Sequence, residues 1–579
     1  MMHRSLGLAT LLLPFVTSSG AQAAVSNRLS PMGTNLAGVN YWSSEQPFLN
    51  IFKTAGGWIT HSKSVWDTNE EQYLNLDSNG YPVTLTAMND PAPQQFISVG
   101  VLLLRELPNT ANGYYPAGKY VVLYDGQGTL TYGFNASLVS SSPGRDVITV
   151  ANPSSAGIDL RIVATDPNHS GNYLRNIRAV KAENETALNA GQVFNPTFLN
   201  LIKNFRALRF MDWFSTNGST LSSWENRPVP ANAFWGTRAG VPIEVAVQLA
   251  NAISADAWLN VPVMADDNYI TQMAKLVYNE LGNSQKAYVE LSNEVWNSSF
   301  SQNAYSITQG HALFPKAPNK WYAGWEWYGM RVAQMADIWY GVYGSYFNAR
   351  VTVVVSGQGA NPAVLTEELS TPDWTGAGDG PAVSHHVGAA AIAMYFGGLP
   401  SASCLATWTS QSDGGLTSLF QSLYSQNDPS VPPGGYLTQA YGYMSSNASA
   451  IARYKIPLVG YEGGQSFEGF PSYLNGSSVV SLLIAANRDA RMGTAYASYL
   501  NGWKANGGTL FMHFNDVGAP TQYGEWGALE SIMQTTSPLS SAPPKWQAIE
   551  DFISGNVCWW PGCARSHAAT PAATNLKAQ

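Results

Sequence analysis

Ala287-Tyr-Val-Glu-Leu-Ser-Asn-Glu294 reads as a buried strand that ends on polar side chains. A helix-like stretch from Tyr269 to Leu281 precedes it, and another from Tyr328 to Ile338 follows. Outward from this point the alternation repeats. Further strands are expected at Ala207 to Trp213, Ala257 to Val263, Val351 to Ser356, Ala389 to Phe396, Pro457 to Glu462 and Thr509 to Asn515. Helices are expected at Ile243 to Ile253 and Arg488 to Ala505. With Leu36 to Trp42 counted first, the strands number eight. Eight βα units predict a closed barrel with its site at the C-terminal strand ends.

The gap between the first two strands is far too long for one helix. From Asp67 to about Val180 it holds short alternating segments: Tyr81 to Ala87, Ile97 to Leu104, Gly118 to Tyr124, Thr129 to Gly133, Asp146 to Val150 and Asp159 to Ala164. Asp77-Ser-Asn-Gly80, Asp125-Gly126 and Pro143-Gly144 punctuate them as turns. Evenly spaced short strands without helices predict a β-sandwich. The expected fold is therefore α/β, a (β/α)8 TIM barrel (24–66 and 190–555) with an inserted all-β sandwich (67–189). An N-terminal sandwich beside an incomplete barrel is the rival arrangement.

Residues 1–23 read as a secretory leader. His3 and Arg4 precede an apolar run from Leu6 to Val16, and Ala21-Gln-Ala23 is a cleavage site of the A-x-A type. A secreted, extracellular or periplasmic location is expected. Cys558-Trp-Trp-Pro-Gly-Cys563 is expected to form a small disulfide loop, followed by a disordered Ala/Thr-rich tail within 556–579. Cys404 is left over as a buried thiol.

The chain of 579 residues has a formal net charge of −8 and no basic stripe, which argues against nucleic acid and anionic membranes. Only 12% of residues are charged, while 19 Trp, 29 Tyr and 21 Phe suit a neutral polymeric ligand. The expected partner is a polysaccharide or oligosaccharide, with the protein a monomer. No metal or organic cofactor is expected; His385-His386 lacks a third ligand at suitable spacing, and no nucleotide motif is present.

Two glutamates end strands of the expected barrel: Glu294 in Tyr288-Val-Glu-Leu-Ser-Asn-Glu-Val-Trp296 and Glu462 in Ile456-Pro-Leu-Val-Gly-Tyr-Glu-Gly-Gly464. Glycosidic hydrolysis needs two carboxyl groups, one protonating the leaving oxygen and one attacking the sugar or activating water. This pattern resembles the clan A glycoside hydrolases, whose acid/base Glu follows an Asn at the end of strand four and whose nucleophile Glu ends strand seven. The resemblance covers roughly residues 33–66 and 190–550. It implies retaining hydrolysis of a β-linked glycan with Glu294 as acid/base and Glu462 as nucleophile, endo-β-glucanase or cellulase-like action first. An exo-acting β-glycosidase and a non-catalytic carbohydrate-binding protein on the same scaffold are the alternatives. An acyl hydrolase would need a G-x-S-x-G elbow, which is lacking.

The resemblance also implies that Arg209 holds the nucleophile ionised, that Tyr395 donates to it, and that Asn293 binds the sugar 2-hydroxyl. Asn260 is a candidate pocket-lining residue. The chain departs from the family at strand eight, where a Trp floor is replaced by Leu510-Phe-Met-His-Phe-Asn515; His513, Phe514 or Trp526 is expected to stand in. Glu290 is expected to point into the barrel and raise the pKa of Glu294. Asp266-Asp267 reads as a helix cap or cleft rim, and Trp321-Tyr-Ala-Gly-Trp-Glu-Trp-Tyr328 as either a sugar-stacking surface or the start of a buried helix.

Overall fold

The computed structural model describes residues 27–89, 91–372, 374, 382–468 and 477–563. The expected leader and the tail from residue 564 lie outside the described residues. The chain lays down β1 (Met32–Asn35) and then leaves the barrel. Eight strands follow: β2 (Ile59–His61), β3 (Ser98–Leu103), β4 (Gly118–Asp125), β5 (Gly128–Phe134), β6 (Ala136–Ser142), β7 (Arg145–Val150), β8 (Ile158–Thr165) and β9 (Arg175–Lys181). They form two antiparallel four-stranded sheets, ordered β2-β3-β8-β5 and β6-β7-β4-β9. The chain then returns through β10 (Ala207–Arg209), β11 (Asp256–Val261), β12 (Ala287–Leu291), β13 (Val351–Gly357), β14 (Ala389–Phe396), β15 (Leu458–Gln465) and β16 (Gly508–His513). These seven close with β1 into an eight-stranded parallel barrel, β16 pairing with β1.

Alternation sets what each strand puts inside. Trp258, Tyr288, Val354, Ala391, Val459 and Met512 fill the barrel interior. The opposite faces, such as Leu259, Val289 and Val353, pack under the surrounding helices. Both faces are therefore apolar, as covered parallel strands require. The sandwich has its own core of Val99, Val101, Val122, Ile148, Leu160 and Ile177, which continues into Phe52, Trp58 and Phe234 at the barrel side. Helix starts follow local chemistry: the Asp266 carboxylate accepts from Tyr269 N at 2.6 Å, capping Asp267–Glu280.

Several expectations shift. The first barrel strand is Met32–Asn35 and not Leu36 to Trp42, because buried Thr34 and Asn35 spend their polar groups on hydrogen bonds inside the barrel. Tyr81 to Ala87 forms no strand. The sandwich sheet already includes β2, ahead of Asp67. The cluster Trp321 to Tyr328 lies in helix Lys320–Tyr343, started by the Asn319 side chain, with Trp327 and Tyr328 buried. Among the described residues no helix is long and apolar enough to cross a membrane.

Cys558 and Cys563 are joined by a disulfide. This loop sits at the N-terminal end of the barrel, where Cys558 N donates to Leu29 O at 2.8 Å and Arg206 Nη2 donates to Cys563 O at 2.9 Å. Trp560 packs against the barrel interior cluster. Cys404 is buried, which pushes its thiol up to about 12.

Candidate active site

At the opposite end of the barrel a cavity of about 630 Å³ opens among the strand ends. Glu294, Glu462, Asn293, Tyr395 and Trp526 all line it.

Arg209, at the end of β10, organises the floor. It is fully buried, and its Nη1 donates to Glu462 Oε1 at 2.7 Å and to Asn35 Oδ1 at 3.0 Å. Its Nε and Nη2 reach Glu290 Oε2 at 3.0 and 2.8 Å, and Nη2 also reaches Asn293 Oδ1 at 2.8 Å. Tyr395 OH donates to the other Glu462 oxygen at 3.0 Å. Burial pushes the Glu462 carboxyl up, and the guanidinium and the two donated hydrogen bonds oppose it; the net direction is upward.

Glu294 stands just past β12, where Ser292 and Glu294 both adopt left-handed φ and turn the chain out of the strand. Its oxygens accept from Tyr461 OH at 3.2 Å and Asn297 Nδ2 at 2.8 Å. Among the described residues no cation forms an ion pair with it. Burial, then the charge of Glu462, push its carboxyl up to about 8.

The strand register explains how both groups face one cavity. Along β14 and β15, Ala391 pairs with Val459 and Ile392 with Gly460, but Ala393 pairs with Glu462. Tyr461 is the extra residue of a bulge. Tyr461 joins the interior cluster, and Glu462, the very next residue, also faces inward opposite Ala393. Strict alternation would have sent one of them outward. Sequence reading missed Tyr461 for that reason; no pattern of apolar spacing marks the bulge.

Three residues expected at the site, Arg209, Asn260 and His513, do not line the cavity itself. Arg209 is beneath it, occupied by the carboxylates. Asn260 is buried and donates to Glu290 Oε2 at 2.9 Å and Ser292 O at 2.8 Å. His513 is buried behind Gly464, with Nε2 3.0 Å from Tyr496 OH. Burial pushes its imidazole down to about 3. The following residue, Phe514, lines the cavity instead, its ring edge-on to Tyr395 and to Trp526; the Phe514–Asn515 bond is cis.

Glu290 does face the interior, but not as a lever on Glu294. Its carboxylate is saturated by Arg209, Trp258 Nε1 (2.8 Å), Asn260 and Ser356 Oγ (2.7 Å), and the carboxylate that raises Glu294 is Glu462, with Arg209 opposing it. Arg209 forms ion pairs with both Glu290 and Glu462. Asp212, Asn217, Asn297 and Glu468 add to the polar lining, with Ser299, Gln358 and Tyr443. Of these, Asn217 and Asn297 carried no signal in the sequence. His386 pairs with Asp337 at 2.8 Å, and among the described residues no three His, Cys, Asp or Glu side chains are grouped to hold a metal.

No family model matches the chain, and no curated protein matches it. Several solved structures align with part of the chain. A 4-O-alpha-L-rhamnosyl-beta-D-glucuronidase from Fusarium oxysporum aligns at 14% identity and TM-score 0.34, over 60% of this chain and 61% of its own. The match thus spans about three fifths of that enzyme. A family 5 xyloglucanase from Paenibacillus pabuli aligns at 14% and 0.34, over 62% and 90% of the two chains. An endo-beta-1,4-mannanase from Thermotoga petrophila aligns at 11% and 0.32, over 62% and 73%.

Proposed function

We propose that the protein is an exported, retaining glycoside hydrolase acting on a β-linked glycan, with endo-β-glucanase or cellulase-like action first. One observation carries the reading: a single cavity holds two carboxyl groups in opposite settings. Glu462 has a guanidinium in contact and a phenol donor; Glu294 has only neutral donors. A proton shared between them therefore rests on Glu294. In the first step Glu462 attacks the anomeric carbon while Glu294 gives its proton to the leaving oxygen. In the second, Glu294 takes a proton from water, which displaces Glu462 and releases the sugar. Asn293, oriented by Arg209, faces the cavity as a partner for a sugar hydroxyl, and Trp526 and Phe514 offer the apolar wall. Export is supported by the leader-like sequence and by the disulfide, a bond that persists in oxidising compartments.

The test is to incubate the protein and its Glu462→Ala variant with β-glucan, cellulose, mannan, xylan and galactan, and to assay new reducing ends. Release by the parent alone is expected, with the product keeping its anomeric configuration by NMR. Inverted product would refute double displacement, and binding without cleavage would favour a non-catalytic carbohydrate-binding protein.

A further inference from the structure

Trp526 reaches the cavity from the loop that follows β16, and not from the strand itself. A loop side chain forms a fixed wall only if the backbone beneath it is held. Main-chain hydrogen bonds tie the loop on both sides of this residue: Thr521 N donates to Gly524 O at 3.1 Å, Ala528 N to Asn515 O at 2.8 Å, and Gly518 N to Leu529 O at 2.8 Å. Glu525, Trp526 and Gly527 lie between these ties. Their carbonyls are met by a side chain from far along the sequence. Lys545, in helix Pro544–Gly555, donates from Nζ to Glu525 O and, at 3.4 Å, to Gly527 O. Gln465 Nε2, at the end of β15, also reaches Glu525 O at 3.3 Å.

Lys545 is buried, and taking an ammonium out of water is costly. Burial pushes it down to about 7, against the charges of Glu525 and Glu530. Neither carboxyl holds it directly. The buried Glu525 carboxyl accepts no hydrogen bond among the described residues, and Glu530 is taken by Arg488 at 2.7 Å. The Lys545 donors go instead to the main chain on either side of Trp526, with the face of Tyr496 at 5.8 Å. The indole is confined as well: the Phe514 ring stands edge-on at 5.9 Å, and a Cβ at Gly524 would fall 2.5 Å from it.

We infer that Lys545 is a positioning residue of the site: by bridging the two carbonyls that flank Trp526, it holds the indole as a preformed platform for a sugar ring. This rests on the hydrolase reading above. A lysine that only tied its helix to the barrel would stabilise the fold without acting through Trp526.

A double-mutant cycle on soluble β-glucan separates the two roles. Lys545→Met and Trp526→Ala are each expected to lower kcat/KM about tenfold. The double variant is expected to be no worse than Trp526→Ala alone, because the lysine acts through the indole. Lys545→Gln keeps an amide donor for one carbonyl; it is expected to lose less, and it carries the same cycle where the Met variant does not fold. Amide hydrogen exchange over 524–528, a readout that needs no turnover, is expected to be faster in the lysine variants than in the parent, with β11 and β12 unchanged. A parent that cleaves no glycan would sink the hydrolase reading, and the exchange comparison would then decide the clamp by itself. Equal losses in the parent and Trp526→Ala backgrounds, kcat/KM untouched by Lys545→Met, or unchanged exchange over 524–528 would overturn the inference.

Discussion

The hydroxyl of Tyr461 lies 3.2 Å from Glu294 Oε1, although Tyr461 is the chain neighbour of Glu462. The bulge in β15 thus lets one strand deliver the candidate nucleophile and a hydrogen bond to the candidate acid. That bond favours the ionised form of Glu294, against burial and against Glu462.

Tyr461→Phe removes a group that lowers the Glu294 pKa. The basic limb of the pH–rate profile is expected to move upward by up to about one unit, the worth of roughly one hydrogen bond. A limb that stays in place or moves down would show that Tyr461 does not act on the acid.

Glu294 must carry a proton to act as an acid. With its pKa near 8, the rate should hold below that pH and fall as pH rises through it. Glu294→Gln should lower kcat by about 10²- to 10⁴-fold and abolish that basic limb. Steady-state kinetics across pH 5 to 10 would check both.

Arg209 also matters for folding. Removing it leaves Glu290 and Glu462 buried without their cation, and a broken buried pair costs about 3–5 kcal/mol. Arg209→Met is expected to lower the urea midpoint accordingly. Adding Glu290→Gln should recover part of the loss without restoring activity, because Glu462 still lacks its partner.

His513 is held neutral. Its folded pKa of about 3 lies below the ordinary 6.5, so the stability it contributes is complete above 6.5 and is lost as pH falls towards 3. By pH 4.5 the loss is roughly 2–3 kcal/mol. In His513→Gln the midpoint should fall less steeply between pH 7 and 4.5; an unchanged slope would place the acid sensitivity elsewhere.

The barrel was legible in sequence because parallel strands buried on both faces leave long apolar runs, as in Ala389 to Phe396. Its first strand was not, since Met32-Gly-Thr-Asn35 is short and half polar, while Leu36 to Trp42 beside it looks more strand-like. In the sandwich, β6 escaped notice because only its first residue is buried, and β9 because its charged residues hide the alternation. The two glutamates were legible because strand ends point to the site. Their supporting residues were not: Asn260 and His513 lie near the right strand ends but are turned into the wall. Sequence places a residue on a strand; the packing partner decides which way it is spent.

The pairing of β1 with β16 has a consequence for biosynthesis. The ribosome finishes Asn35 more than 450 residues before it reaches His513. At ~5–20 residues per second that interval is on the order of a minute. Throughout it the opening strand has no partner on one side. The Cys558–Cys563 plug follows later still. Ring closure therefore waits for β16, and a nascent chain stalled before residue 508 would present an open sheet edge to chaperones.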